Sequence, residues 1–144
     1  MSNQMKSAEH QPDILLDITE HIWQQCKAYK ECPDGWQETT KKVEAVLLAE
    51  SVQVRQMKEK FGGLRVYWDW PEEWNDLEDE TFHDKCEQIE CLIDIADWVC
   101  QRTCMECGEK GTLRNESWVS VLCEGHYNEW RERVYGKKRN EAKR

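Results

Sequence analysis

Two pairs of candidate metal ligands near the C-terminus, Cys104-Met-Glu-Cys107 and Cys123-Glu-Gly-His126, decide the fold of this chain. The two donor residues of each pair are three positions apart, and 15 residues separate the pairs. Three thiolates and one imidazole at this spacing are typical of a single tetrahedral zinc ion. The sequence therefore predicts one structural zinc ion per chain, held by Cys104, Cys107, Cys123 and His126.

The residues around these ligands predict the treble-clef order of a knuckle, a hairpin and a helix. Gly108 follows the first pair, where a knuckle turn needs a residue that tolerates positive φ. Asn115-Glu116 separates two short strand-like stretches, which indicates a hairpin. The second ligand pair then begins a helix that ends near Gly136.

The residues that precede the ligands predict a small α+β body. Apolar residues recur at helical spacing from Pro12 to just before Pro33, between Trp36 and Ala49, and from Phe82 to Cys100. Alternation puts Val52, Val54 and Gln56 on one face of a strand, and a second strand follows the Phe61-Gly62-Gly63 turn. We expect helices packed on a small antiparallel hairpin or sheet, with the treble-clef-like zinc module at the C-terminal end.

This organisation divides the chain into four segments. We expect a disordered N-terminus at residues 1–11, the α+β body at 12–102, the zinc module at 103–136 and a basic tail at 137–144. Neither an internal repeat nor a low-complexity linker interrupts the chain. The zinc module is therefore expected to pack on the body.

The cysteines and the hydropathy pattern indicate a cytoplasmic protein, in the bacterial host cytoplasm if it is phage-encoded. No apolar run reaches the roughly 18–20 residues of a membrane span, and the N-terminus lacks a signal-peptide pattern. Cys26, Cys86 and Cys100 lie on apolar helical stripes, as buried thiols do in a reducing compartment. Cys100 is also an alternative fourth ligand. Cys32 and Cys91 have no clear place, so a disulfide stays open.

The net charge of −9 conceals an uneven distribution. Residues 69–90 contain ten acidic residues and the single basic Lys85. Residues 131–144 contain seven basic residues and two acidic ones. An acidic body repels phosphate backbones, whereas a short basic tail either contacts them or is simply solvated.

An acidic edge that contains tryptophan follows the predicted second strand. Trp68 and Trp70 alternate onto one strand face, and they serve either core packing or partner binding. Trp23, Trp98 and Trp130 are expected to pack within the body or the module. The candidate partner-binding residues are Trp70, Glu72, Glu73, Trp74, Asp76, Glu78 and Asp79.

A second candidate surface lies around the Phe61-Gly62-Gly63 turn, which Lys58, Lys60 and Arg65 surround with positive charge. Such a turn can contact an anion or an acidic surface. The alternative is an ordinary hairpin turn flanked by solvated lysines. A Gly-Gly pair without a P-loop or dinucleotide pattern is weak evidence for phosphate binding.

The sequence also resembles an uncharacterised family of small bacterial and phage proteins. The resemblance is carried by Lys58-Glu-Lys-Phe-Gly-Gly-Leu-Arg-Val-Tyr67, then Cys-x-x-Cys-Gly, Thr112-Leu-Arg114, Trp118 and Leu122-Cys-x-x-His126. It extends over about residues 35–127, while residues 71–80 and the first thirty residues depart from it. It implies a C-terminal zinc-knuckle module and a bacterial or phage origin, and it supplies no reaction.

Three classes of function remain to be weighed. Four strong donors would close the metal site to water, and the deaminase and His-Glu-x-x-His patterns are absent, so we predict no enzyme. A zinc-finger nucleic-acid-binding or regulatory protein, acting through Arg131, Arg133 and the basic tail, is the alternative. The favoured hypothesis is a zinc-stabilised module that binds a protein with a basic surface. By analogy with small acidic phage proteins, its target would be a host nucleic-acid-binding or defence protein.

Overall fold

The computed structural model describes residues 18–136 and has the mixed helix-and-sheet architecture that the sequence predicts. The described elements are α1 (Glu20–Gln25), α2 (Gln37–Ala49), β1 (Gln53–Lys60), β2 (Gly63–Asp69), α3 (Asp79–Cys100), β3 (Thr112–Asn115), β4 (Val119–Leu122) and α4 (Glu124–Arg131). Shorter helical turns occupy Ala28–Glu31, Asp34–Trp36, Glu72–Asp76 and Glu132–Gly136. The predicted disordered N-terminus and basic tail lie outside the described residues.

The predicted helix from Pro12 to just before Pro33 is not continuous in its described part. α1 ends before Cys26, whose backbone is extended at φ −64° and ψ 127°, and a 3₁₀ turn follows at Ala28–Glu31. The buried Glu44 of α2 explains the break. Its carboxylate accepts hydrogen bonds of 3.1, 3.0 and 3.0 Å from the backbone amides of Lys27, Ala28 and Tyr29. These amides are thereby satisfied without a continuing helix.

The predicted hairpin is present, with one change of register. β1 and β2 pair antiparallel around the two-residue turn Phe61-Gly62, in which both residues have positive φ (55° and 80°). The pairing shifts between Val54 and Gln56, so the strict alternation predicted for β1 is wrong. The extra residue leaves Gln56 exposed and places Met57 fully in the core.

The long helix α3 contributes the largest stripe of the core, as its periodicity predicts. Its buried residues Ile89, Ile93, Ala96 and Cys100 recur at steps of three and four. They pack with residues of α2 and both hairpin strands in one cluster around the fully buried Trp36. Within residues 18–136, no helix combines the length and the apolar character needed to cross a membrane.

Body and zinc module share one packed boundary. Val121 of β4 is fully buried and belongs to the core of the body. The Trp36 indole Nε1 donates a 2.8 Å hydrogen bond to the carbonyl of Thr103, at the start of the module. On the other side, Gly62 of the β1–β2 turn lies against Leu113 of β3. These contacts hold the module on the body.

Candidate metal centre

The four predicted ligands meet in one cluster. The ligand atoms of Cys104, Cys107, Cys123 and His126 all lie within 4.8 Å of one another. The Cys107 and Cys123 sulfurs are 3.9 Å apart, and His126 Nδ1 lies 3.7 Å from Cys104 Sγ and 3.2 Å from Cys123 Sγ. Zinc bonds of about 2.3 Å to sulfur and 2.0–2.1 Å to nitrogen give tetrahedral edges of about 3.8 and 3.6 Å. The donor set therefore fits a tetrahedral ion, with Nδ1 as the imidazole donor.

A tight knuckle positions the first ligand pair. The Cys104 amide donates to the carbonyl of Glu109 at 2.7 Å, and the Gly108 amide donates to the carbonyl of Cys104 at 3.0 Å. Gly108 has a φ of +79°, which fulfils the expectation for this position. A hydrogen bond of 2.9 Å from the Met105 amide to the carbonyl of Val121 ties the knuckle to β4.

The second ligand pair lies in the first turn of α4. Cys123 is the N-cap residue, and its sulfur accepts from the amide of His126 at 3.4 Å. Arg114 of β3 braces this turn, because its guanidinium donates to the carbonyl of Leu122 at 3.2 Å and lies 3.3 Å from the Glu124 carboxylate. These contacts orient the first turn of α4, which carries Cys123 and His126.

The local environment already favours a thiolate at Cys104. Burial raises the pKa of this thiol, but hydrogen bonds from the backbone of Cys123, Cys107 and Glu106 outweigh it and lower the pKa to about 7. For Cys107 the opposing effects leave the pKa raised. A backbone hydrogen bond at Glu109 lowers its pKa, while desolvation and the neighbouring thiols of Cys104 and Cys123 raise it by more. The thiol of Cys123 also raises the pKa of His126 by hydrogen bonding.

Gly35 supports the knuckle from the body, and no pattern in the sequence singled it out. Its amide donates to the carbonyl of Met105 at 2.9 Å. A Cβ at Gly35 would lie 2.0 Å from the Cys104 carbonyl oxygen and 2.6 Å from the Gly108 nitrogen. Only a glycine allows the body to approach the ligand loop this closely. The Pro33-Asp-Gly35 turn pointed to a helix end and not to this contact.

Cys100, the alternative ligand, lies outside the cluster. It is fully buried in the body core, and burial raises its pKa to about 12. Burial likewise raises the pKa of Cys26 and of Cys32 to about 11. All eight cysteines fall within the described residues and all are free thiols, so Cys32 and the exposed Cys91 form no disulfide.

A groove of about 730 Å³ opens beside the metal ligands. Met105 and Leu122 contribute to its lining, together with Trp118 and Trp130 from the hairpin and α4. The indole of Trp118 is 65 % exposed. His126 reaches the wall of this groove, so its imidazole links the ligand cluster to the open surface.

The acidic edge divides into exposed and buried residues. Trp74 is only 7 % exposed and packs in the body core beneath the Lys85 ammonium, so its assignment as a partner contact is wrong. Trp68 is also half-buried against the core. Trp98 is 58 % exposed, which corrects its expected burial. The remaining members of the predicted contact set are exposed: Trp70, Glu72, Glu73, Asp76, Glu78 and Asp79.

The three candidate anion-contacting residues share one face of the β1–β2 hairpin. Lys58 and Arg65 are direct cross-strand partners, and Lys60 lies two residues further along the same face. Met57 and Leu64 point to the opposite face and are buried. The structure thus brings the basic residues together on the solvent side of the hairpin.

Comparison with models of known protein families, with curated proteins and with solved structures gives no match. What the residues themselves form is a Cys₃His cluster compatible with a metal ion, joined to a small α+β body. Sulfur-rich, tetrahedral donor sets of this kind are typical of zinc.

Proposed function

We propose that this chain is a non-enzymatic, zinc-stabilised module that binds a protein partner through an acidic edge. The observation that carries the proposal is the fixed, half-exposed indole of Trp70 at that edge. Its Nε1 donates to Asn75 Oδ1 at 3.0 Å, and its ring meets Phe82 edge-on with centroids 5.0 Å apart. The ring is nevertheless 47 % exposed. A rigid aromatic side chain held ready at the surface is the usual anchor of a protein interface.

The charges around Trp70 favour a partner with a basic surface. The acidic side chains of the edge, from Glu72 to Asp79, are exposed, and no ion pair within the described residues includes one of them. A partner with a basic surface would be steered towards this edge and would neutralise it.

The outward side of α3 carries further exposed acidic and apolar residues. Asp84 and Glu87 lie there in the first turns, beside a shallow depression of about 460 Å³ that reaches Ile95. Ile95 and Trp98 are 62 % and 58 % exposed on the side of the helix away from the core. An exposed apolar group next to a charged rim is typical of protein-binding sites. The partner surface would therefore combine basic and apolar residues.

A structural role for zinc supports a binding module over an enzyme. Four thiolate and imidazole donors complete a tetrahedral coordination sphere and leave no position for a reactive water. The metal would fix the knuckle and the start of α4, and binding free energy of this kind adds directly to folding.

The resemblance to bacterial and phage proteins suggests the setting of this interaction. In that setting we propose that the partner is a host nucleic-acid-binding or defence protein, whose basic groove the acidic edge would occupy. The acidic charge of the edge, which is complementary to a basic groove, and the exposed Trp70 ring support this proposal. The resemblance supports a bacterial or phage origin.

Affinity capture from the native host with quantitative mass spectrometry tests this proposal. Trp70→Ala is expected to weaken recovery of the specific partner by about 30-fold or more, as for an interface hot spot. The charge reversal Glu72→Lys/Glu73→Lys/Asp79→Lys is expected to abolish it. The matched control reverses three exposed acidic residues elsewhere and carries the same net charge: Glu20→Lys/Glu31→Lys/Glu50→Lys.

Equal recovery with the edge and control variants would rule out the acidic edge. Thermal unfolding of each variant separates a lost contact from a lost fold, because Trp70 also packs on Phe82.

A further inference from the structure

The solvent side of the β1–β2 hairpin is basic and aromatic, in contrast to the rest of the body. Its outward residues include Lys58, Lys60, Arg65 and Tyr67, and Phe61 projects from the turn at its end. The Lys58 ammonium lies 5.5 Å from the Tyr67 ring centroid, and the Lys60 ammonium lies 5.7 Å from the Phe61 ring centroid. Cations and aromatic rings therefore alternate along a single exposed surface.

The positive charge on this face is not neutralised. Lys58 and Arg65 face each other directly across the strands, an arrangement that is destabilising for like charges. Arg55, further along the face, is paired with Asp69 at 2.9 Å. Within residues 18–136, neither Lys58, Lys60 nor Arg65 has such a partner. An anionic ligand would relieve this repulsion.

Phe61 adds a second, independent observation. It has a φ of +55°, a conformation that costs a side chain with Cβ about 1–2 kcal/mol relative to glycine. The ring gains little burial in return, because the side chain is 72 % exposed. Asn-Gly is the favoured pair for this type of turn. A strained residue that holds an aromatic ring in solvent is a feature expected of a functional site.

The hairpin tip is held rigidly from behind. The Leu64 amide donates to Asp97 Oδ1 at 2.7 Å, and the Gly62 amide donates to Glu59 Oε2 at 2.8 Å. These two carboxylates engage backbone amides around the turn. Gly62 itself packs against Leu113, where a Cβ would come within 2.5 Å. The rings and cations are thereby presented on a fixed platform.

From this face we infer that the hairpin binds single-stranded nucleic acid, with Lys58, Lys60 and Arg65 contacting phosphates and Phe61 and Tyr67 stacking on bases. Cationic surfaces with exposed aromatic rings bind single strands in this way, and each stacked base contributes about 1–3 kcal/mol. The inference is independent of the proposed protein-binding edge, which lies on other residues.

Two other anionic ligands fit the face less well. A duplex keeps its bases stacked internally, so it would leave the exposed Phe61 ring without a partner. Its denser phosphates would also meet a chain of net charge −9. An acidic protein would also use the three cations and an exposed ring, but two rings that alternate with cations match stacked bases and phosphates more closely. Both ligands are therefore competitors in the test.

Fluorescence anisotropy with labelled 12-nucleotide thymidylate and uridylate strands tests the inference on the full chain. Three phosphate contacts predict a slope of log K against log salt of about −2, since each contributes about −0.7 for single strands. Lys58→Gln, Lys60→Gln and Arg65→Gln are each expected to reduce the slope by about 0.7. Lys42→Gln and Lys110→Gln, which lie outside the hairpin, are expected to leave it unchanged.

The Phe61→Asn variant distinguishes the loss of base stacking from the loss of folded structure. We expect this variant to bind about 5- to 150-fold more weakly with an unchanged salt slope, because it removes a stacking ring and no charge. Its melting temperature is expected to rise by a few degrees, because asparagine tolerates positive φ. Weaker binding by a more stable protein cannot be attributed to unfolding.

Several results would overturn the inference. They are the absence of binding at low salt, equal affinity of Phe61→Asn and the parent chain, tighter binding of a 12-base-pair duplex, and displacement of the strand by polyglutamate at equal charge. Loss of binding in Lys137→Gln/Lys138→Gln/Arg139→Gln, with the hairpin variants unaffected, would assign the activity to the C-terminal tail.

Discussion

The body and the zinc module obtain their rigidity from different sources. The body encloses a continuous apolar core around Trp36, Leu47 and Met57, all fully buried. The module has few buried residues, among them Cys104 and Val121, and Val121 belongs to the core of the body. Its knuckle, hairpin and short helix converge instead on four ligand atoms within 4.8 Å of one another. Small units with little core depend on metals or cross-links for stability.

This difference implies two separable kinds of sensitivity. Substitutions that disrupt the apolar core should lower the stability of both regions, because the module packs on the body. Loss of the metal should affect the module first, because the body keeps its own core. The contact between Gly35 and the knuckle connects the body to the loop that carries the metal ligands. Changes to the metal, to this contact and to the core of the body can therefore separate the two kinds of sensitivity.

Removal of zinc is expected to have the largest effect, and to be concentrated in the module. Elemental analysis should find one zinc per chain. Zinc at a thousand times its Kd contributes about 4.1 kcal/mol of stability, which chelation removes. Hydrogen exchange should then show loss of protection in residues 103–136 before α2 and α3.

Cys104→Ser should reproduce this pattern without a chelator, whereas the exposed Cys91→Ser should keep full zinc content. Equal loss of protection in both regions would mean that they fold as one unit that depends on the metal throughout.

Gly35→Ala tests the contact between the regions. The added Cβ would lie 2.0 Å from a carbonyl oxygen of the ligand loop, so the backbone must move. We expect a loss of about 3 kcal/mol of stability by urea unfolding, together with weaker zinc binding in a chelator competition. The matched control is Gly125→Ala, because a Cβ there meets nothing within 4 Å. In the helix α4 this control should be neutral or slightly stabilising. Unchanged zinc affinity in Gly35→Ala would show that the body does not support the ligand loop.

Glu44→Gln is a test confined to the body. The buried carboxylate accepts three backbone hydrogen bonds, and an amide can replace its charge and acceptors only in part. The expected loss is about 1–3 kcal/mol of unfolding free energy, with zinc affinity unchanged. The exposed Glu50→Gln should change neither quantity. A coupled loss of zinc affinity in Glu44→Gln would contradict the separation of the two regions.

Thiol labelling should distinguish the regions without changing stability. Burial raises the pKa of Cys26 and Cys32 to about 11 and that of Cys100 to about 12, from a usual 9.0. At pH 8 their thiolate fraction is at least about 100-fold below that of an ordinary thiol, so alkylation should be correspondingly slow. Exposed Cys91 should react first. Chelation should expose the ligand cysteines next, as peptide mass spectrometry would show; early labelling of Cys100 would mean that the core opens as well.

The parts of the molecule predicted from sequence are those that local spacing determines. The ligand pairs, the positive φ of Gly108, the two hairpins and the buried stripe of α3 all follow from residues close together in the chain. Each depends on geometry that a few neighbouring residues fix. The sequence pattern therefore predicts most of the metal site and most of the helices and strands.

The parts that sequence missed depend on distant residues. Glu44 interrupts the first helix from 15–17 positions away, and Gly35 supports a loop nearly seventy residues later. Trp74 was expected at the surface and is buried, whereas Trp98 was expected to be packed and is exposed. Tertiary packing, and not the local sequence pattern, determines which of these large rings is buried. The register shift after Val54 likewise depends on how the strands pair.

The close contact at Gly62 places the β1–β2 turn directly on the module that contains the candidate metal ligands. The tip stands on the side chains of Leu113, Val119 and Val121, all in the hairpin between the two ligand pairs. If zinc stabilises the β3–β4 hairpin as proposed, its loss would weaken the contact that supports the turn. Metal supply would thereby control how firmly Phe61 is displayed, although the ring lies on a different hairpin from the ligands.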